Sequence, residues 1–500
     1  MQKDVNKKSV KINAVLNVTK TVVSLIFPLI TFPYSSHVLG VEAIGRYNFS
    51  ASIVSYFTLL AALGVSMYAV REGSKYRDDQ EKISSFCSQV FSINIYSTFF
   101  SLILLCLCVL SIPKLQGYAV LIAILSLRII LTTLNVNWIY SIFEDFLWNT
   151  IVTITLDIVA IISMFLFVHS PADLGIYVFI TVIAYSGYGL FTFLYSHHYV
   201  KLRFLWKPDL RHLKPILVIF SMEISATIYI SSDITILGWL VGDHATGLYS
   251  TASNVYMIVK QMLNALILVV IPRFSYLIGA GGLAEQDGNH EKAMTCHKEA
   301  VALGETLIDS MITLCLPCMI GLIFMAEPVV FLFAGKDFME AVPSLQLLSF
   351  ALIFAMMENF YGDCILIAYK KEATYLALTM IAAVINIVLN FVLIPTYAQN
   401  AAAVTTIIAE VFMGITTMWI SQKYIKVIIH KDVLFKTLLG CGAIAFVCWG
   451  THLFIQGTVL YLLVGVICSI LVYTVLEIIM KNRVIMDILG NIVKQIRRKK

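Results

Sequence analysis

Charge is scarce in this sequence. Only 13% of its 500 residues are Asp, Glu, Lys or Arg, against 59% that are hydrophobic, and the mean hydropathy is +0.86. Soluble domains carry about 25% charged residues, so a water-soluble globular fold is excluded. The usual signatures of chemistry are missing as well. There is no GxxxxGK[ST] loop, no HExxH pair and no conspicuous nucleophile–histidine motif, which argues against ATP-driven work on this chain, zinc chemistry and covalent catalysis. The ten cysteines are scattered, and six of them (Cys106, Cys108, Cys315, Cys318, Cys364 and Cys468) lie in apolar runs. Cys315-Leu-Pro-Cys318 has redox spacing but no partner pair, so packing is expected of it. No small-residue cleavage site follows the basic residues 1–11, and the apolar run 12–36 is too long for a signal peptide, so it reads as a first span. Alternating β-barrel segments are absent too.

What the chain has instead is a succession of apolar runs, each long enough for the roughly 20 residues a helix needs to cross hydrocarbon. Backbone groups in lipid must be satisfied within helices or closed barrels, so the runs predict helices. We expect an all-α integral membrane protein of about fourteen transmembrane helices, from 12–36 to 458–480. With the N-terminus inside, 29 of the 35 lysines and arginines fall in or beside cytoplasmic segments, and only Arg46, Lys114 and Lys336 fall outside. That split matches the positive-inside rule and puts both termini in the cytoplasm. The basic tail 494–500 suits anionic headgroups of membrane lipids.

An internal repeat is visible. Leu39-Gly-Val-Glu-Ala-Ile-Gly-Arg-Tyr47 aligns with Val241-Gly-Asp-His-Ala-Thr-Gly-Leu-Tyr249, matching Gly40 with Gly242, Ala43 with Ala245, Gly45 with Gly247 and Tyr47 with Tyr249. Both copies fall at the first external turn of a half, where glycine can take positive φ at little cost. The expected organisation is an N-terminal lobe 1–210, a C-terminal lobe 211–430 of six helices each, and 431–500 holding two further helices and the tail.

The chain resembles the polysaccharide transporter branch of the multidrug, oligosaccharidyl-lipid and polysaccharide exporter superfamily, the flippases of O-antigen and capsule repeat units. The residues that carry the resemblance are Phe32-Pro33, Leu39-Gly40 and Gly45, then Tyr68-Ala-Val-Arg71-Glu72-Gly-Ser-Lys75 and Arg77-Asp78. Phe333-Ala-Gly335, Asn386, Asn390 and Ile394-Pro395 continue it. One departure stands out. The family has glycines after that last proline, whereas here Ala398 and Asn400 precede Ala401-Ala-Ala403, so a different bend is expected. The resemblance implies two lobes around a central cavity open to each side in turn. It also implies an undecaprenyl-pyrophosphate-linked oligosaccharide as cargo, moved to the outer leaflet of the bacterial cytoplasmic membrane for O-antigen, capsule or exopolysaccharide assembly. Partners implied are a polysaccharide polymerase and other assembly proteins. No nucleic acid, metal or organic cofactor is expected, and H+ or Na+ is the expected coupling ion.

Ionisable side chains deep in a bilayer are costly and usually line a cavity, pair or serve a pathway. At 1.5 Å per residue, a group ten residues from a span end lies roughly 15 Å deep. Arg128, Asp157, Glu223, Lys260, Glu358 and Glu410 are central on that measure; Lys20, Asp309 and Asp233 are shallower, and Asp363 is shallow enough to snorkel. Arg128, Lys260 and Lys20 are candidates to hold the pyrophosphate, since Arg and Lys supply the donors a diphosphate needs. The other reading is that each pairs with a carboxylate. Glu223, with Asp233 and Asp157, is the candidate for ion coupling, because a carboxylate in low dielectric can exchange a proton near neutrality. Tyr56, Tyr68, Trp138, Tyr140 and Tyr229 could stack on sugars but are expected in packing roles. Two rivals remain: a multidrug or cation exporter of the same superfamily, favoured by the seven carboxylates in the spans, and a membrane polymerase or ligase. The longest external stretch, about 17 residues, is too short for the catalytic loop such enzymes carry.

Overall fold

A computed structural model describes residues 10–487 and 489–490, with the side chains of 10–22, 24–25, 222 and 226 outside the description. The described residues are predominantly helical, and no strand occurs among them. Eleven of its helices are long and apolar enough to cross a membrane, and twelve are if the pair Leu210–Ser225 and Thr227–Leu240, bent by 45°, is one span. Dividing the two longest at their internal breaks would give fourteen segments. Large apolar side chains stand exposed along these helices, among them Phe99, Leu110, Val120, Leu166, Val269 and Phe446. Such surface is untenable in water and ordinary against lipid tails. This is a multi-pass membrane protein.

The chain packs as two compact units, 1–247 and 248–500. In the first, α1 (Val10–Ala62) is the central element. At 53 residues it would run roughly 80 Å, far more than a bilayer's hydrocarbon. It is broken at Gly40, whose φ of 78° and ψ of 175° are not helical. Four helices, α3 (Gln80–Ser111), α5 (Ala119–Leu134), α7 (Leu147–Phe167) and α10 (Leu213–Leu240), pack against α1. Gly242, the counterpart of Gly40, also has positive φ, at 123°. The second glycines of the repeat meet each other's turns. A Cβ on Gly45 would overlap the Asp243 carbonyl and lie 2.9 Å from the Gly247 nitrogen, and one on Gly247 would overlap the Val41 carbonyl. Glycine is required there because backbone meets backbone. Nearby, Tyr118 Oη donates to Asp243 at 2.6 Å.

The second unit holds most of α11 (Asp243–Gln286), then α12 (His290–Phe324), α14 (Val342–Glu358) and α15 (Glu372–Ser421). It ends with α16 (Lys431–Phe454) and α17 (Thr458–Ile479). The short helix Ala326–Ala334 and the turn Lys336–Ala341 join α12 to α14. A π-helical stretch, Asn359–Leu366, follows α14. The 50-residue α15 breaks at Ala398, with φ 45° and ψ −128°. The departure noted in the sequence therefore falls on the break itself, where a side chain occupies a conformation that glycine adopts freely. Polar groups brace it: Thr405 Oγ1 donates to Asn390 at 2.5 Å, Asn390 to Asn386 at 3.0 Å, and Ser344 to Asn400 at 2.8 Å.

Two substitutions test these backbone readings by the melting temperature of the detergent-purified protein. Gly45→Ala should destabilise it by about 1–3 kcal/mol, the usual cost of overpacking, whereas Gly279→Ala, with nothing within 4 Å of an added Cβ, should leave it unchanged. Ala398→Gly should raise the melting temperature by relieving about 1 kcal/mol of strain.

Candidate functional site

In the second unit a polar seam crosses the apolar interior. Tyr256, Lys260 and Asn264 recur every four residues along α11, which puts them on one face. Lys260 Nζ donates to Glu410 Oε1 of α15 at 2.9 Å, with 19% and 4% of the two side chains exposed. Tyr256 Oη donates to the same oxygen at 3.4 Å. One turn on, Asn359 Nδ2 donates to Asn264 Oδ1 at 3.1 Å. Glu358, the last residue of α14, accepts from the Tyr375 hydroxyl of α15. Asp363, within the π stretch, is also in reach of Tyr375, and both Glu358 and Asp363 are in electrostatic reach of Lys260. The π stretch adds a residue to the helical turn and so shifts which side chains face α15; such insertions recur at functional sites.

The charge of this seam does not balance. Among the described residues it sets one lysine against the three carboxylates Glu410, Glu358 and Asp363, a formal excess of two negative charges. In low dielectric a buried charge needs a counter-charge or loses its ionisation, so the seam is suited to taking up protons or a cation. No group of three or more His, Cys, Asp or Glu placed to hold a metal ion occurs among the described residues.

The first unit carries the other candidates. Arg128 is half-buried on α5, and no described carboxylate lies within 4 Å of its guanidinium. Tyr185 and Tyr188 are in electrostatic reach of it. Tyr185 is likewise near Asp157, which is buried on α7 and is not free. Glu223 is half-buried on α10, one turn before its bend, with no hydrogen bond or ion pair to a described residue. Asp233 is buried and not free. It sits beside a hydroxyl seam in which Thr235 donates to Ser52 at 2.9 Å and Ser55 to Ser231 at 3.3 Å. Lys20 lies outside the described residues. Of the sequence candidates, then, Lys260 is brought onto a carboxylate and Arg128 is not.

Other expectations resolve locally. Asp309 accepts from His430 at 2.8 Å. Tyr68, Trp138 and Tyr140 are buried; Tyr140 Oη donates to the Thr192 carbonyl at 2.6 Å, a packing role. Sequence reasoning missed the grouping of Glu358, Asp363 and Tyr375, for which the four-residue spacing of Tyr256, Lys260 and Asn264 was the available signal.

Comparison with known proteins bears on what this site serves. Residues 10–278 match the family model described as polysaccharide biosynthesis protein. A protein of Escherichia coli (strain K12) named as an O-antigen transporter is 22% identical over 408 residues, covering 81% of this chain and 95% of that one. The capsular polysaccharide biosynthesis protein CapF of Staphylococcus aureus is 23% identical, covering 74% and 88%. Among solved structures, the lipid II flippase MurJ in an inward closed conformation superposes with a TM-score of 0.70 at 17% identity, over 95% of this chain and 99% of that one. An inward-facing multidrug resistance MATE family transporter superposes at 0.57 and 15% identity, over 82% and 98%. The fold is that of these transporters.

A double-substitution cycle tests the seam. Lys260→Met alone should cost about 3–5 kcal/mol of stability, because it strands Glu410, and Lys260→Met with Glu410→Gln should recover most of it. Additive losses in chemical denaturation of the purified protein would show that the two do not act as a pair.

Proposed function

Because this chain belongs to the polysaccharide biosynthesis protein family, we propose that it is a flippase for a lipid-linked oligosaccharide. The cargo we assign is an undecaprenyl-pyrophosphate-linked repeat unit. Its movement runs from the inner to the outer leaflet of the bacterial cytoplasmic membrane, by alternating access of two lobes built from fourteen helices, with both termini inside. The observation that carries this reading is the relationship, over 81% of this chain and 95% of the relative, to a protein named an O-antigen transporter, on a fold shared with a lipid II flippase. The residues support it. An arginine at membrane depth with no described carboxylate against it keeps its donors for a ligand, and a guanidinium fits a pyrophosphate bidentately. Arg128 is thus the favoured cargo contact, with Lys20 a further candidate. Lys260, held by Glu410, contributes through the seam.

Coupling belongs to carboxylates that lack a full complement of positive charge. Glu358 and Asp363 are two such groups, and Glu223 is a third. Asp233 and Asp157 remain candidates beside them, and H+ or Na+ is the ion. An exporter of cationic compounds is the second reading, favoured by the same excess of carboxylates. A polymerase acting on the exported unit is the natural downstream partner.

Arg128→Ala should abolish surface polysaccharide and leave the lipid-linked unit on the cytoplasmic leaflet, at unchanged protein level. Normal surface polysaccharide would refute its role. Glu358→Gln or Glu223→Gln should remove the dependence of transport on the ion gradient, and full dependence in both variants would refute the coupling assignment.

A further inference from the structure

The C-terminal helix pair contains a buried acid that none of the above uses. Glu477 lies on α17, three residues before Met480 caps the helix, and is 0% exposed. Neither of its carboxylate oxygens has a hydrogen-bond partner among the described residues. Tyr473, one turn earlier on α17, and Asn482, whose side-chain amide nitrogen has no partner among the described residues, lie beside the carboxylate but short of good hydrogen-bond geometry. The Tyr473 hydroxyl donates to the Thr313 carbonyl of α12 at 2.6 Å instead. Thr437 of α16, also fully buried, has a hydroxyl that lies beside Tyr473 and has no well-formed hydrogen bond among the described residues. Gly440, one turn on from Thr437, lets the Tyr473 ring and the carboxylate pack close against α16: a Cβ there would stand 3.0 Å from Glu477 Oε1 and closer still to the Tyr473 ring. Among the described residues the cation in electrostatic reach of Glu477 is Lys436, which is engaged elsewhere. Its Nζ donates to the Lys481 carbonyl at 3.2 Å and to Asp432 at 3.4 Å, and no ion pair joins it to Glu477. Cys441 completes the surroundings on α16.

A buried carboxylate with both oxygens unsatisfied, beside an unsatisfied hydroxyl, is costly unless something fills the gap. The donors are hard oxygens: two of the carboxylate, the Thr437 hydroxyl and the Tyr473 phenol. Hard oxygen sets select alkali and alkaline-earth cations over soft metals. A single negative charge matches a monovalent ion and leaves a divalent one half-neutralised. We propose that Glu477, Thr437 and Tyr473 form an alkali-cation site that fastens α16 and α17 to α12. The site is separate from the Lys260–Glu410 seam and from the cargo contact.

The test is the melting temperature of the full-length protein in detergent, at fixed pH and ionic strength, titrated with NaCl or KCl against N-methyl-D-glucamine chloride. The wild type should melt higher in one of the alkali salts, and the better salt identifies the ion. Glu477→Gln should lose that shift, and Thr437→Val should move its midpoint to higher salt. Equal melting in all three salts, with stability following pH alone, would overturn the site in favour of a protonated carboxyl. So would a full shift in Glu477→Gln, or one lost only in Glu358→Gln. If Glu477→Gln does not fold, Thr437→Val decides: a displaced midpoint supports the site and an unchanged one refutes it.

Discussion

In hydrocarbon no water is at hand to satisfy a backbone amide or surround a charge, and this one constraint organises the molecule. It makes every described segment helical between its turns. Within the two longest helices it confines the interruption to a single non-helical residue, at Gly40 and at Ala398. It also makes each interior charge conspicuous. Lys260 is tolerable because Glu410 meets it at 2.9 Å. Glu358 and Asp363 are then left to share that lysine and the Tyr375 hydroxyl. A site short of positive charge can be completed by an ion and reopened by its loss, which is the elementary requirement of coupled transport.

The fold was largely legible because its physics is one-dimensional. Where charge vanishes for some twenty residues a helix crosses, and the Gly-x₄-Gly repeat marks both turns. The structure adds why the second glycine of each copy is there: Gly45 and Gly247 face backbone carbonyls with no room for a Cβ. Less legible were the helix ends. The spans read on either side of 40 and 398 are helical segments parted by a break of one residue, at Gly40 and at Ala398, narrower than the gaps that hydropathy suggests.

The site was legible in depth but not in direction. Distance from a span end places Arg128, Lys260, Glu358 and Glu410 near the middle of their predicted spans, and in the structure Lys260, Glu358 and Glu410 share one seam. It does not say which faces meet, and Lys260 and Glu410 are 150 residues apart. Asp363 was read as a shallow, snorkelling acid. The π stretch puts it by Tyr375 instead, and no local sequence pattern announces such an insertion. Arg128 kept its place as a charge without a described carboxylate, which is where it differs from Lys260.

The central claim is movement of a lipid-linked sugar by this chain alone. It is tested most directly by reconstituting the purified protein into liposomes with a fluorescent polyprenyl-pyrophosphate oligosaccharide in both leaflets, then adding an external quencher or glycosidase. Vesicles containing the protein should expose nearly all of the lipid, while protein-free vesicles should expose about half. Exposure at the protein-free level, under an imposed proton or sodium gradient as well as without one, would contradict the account.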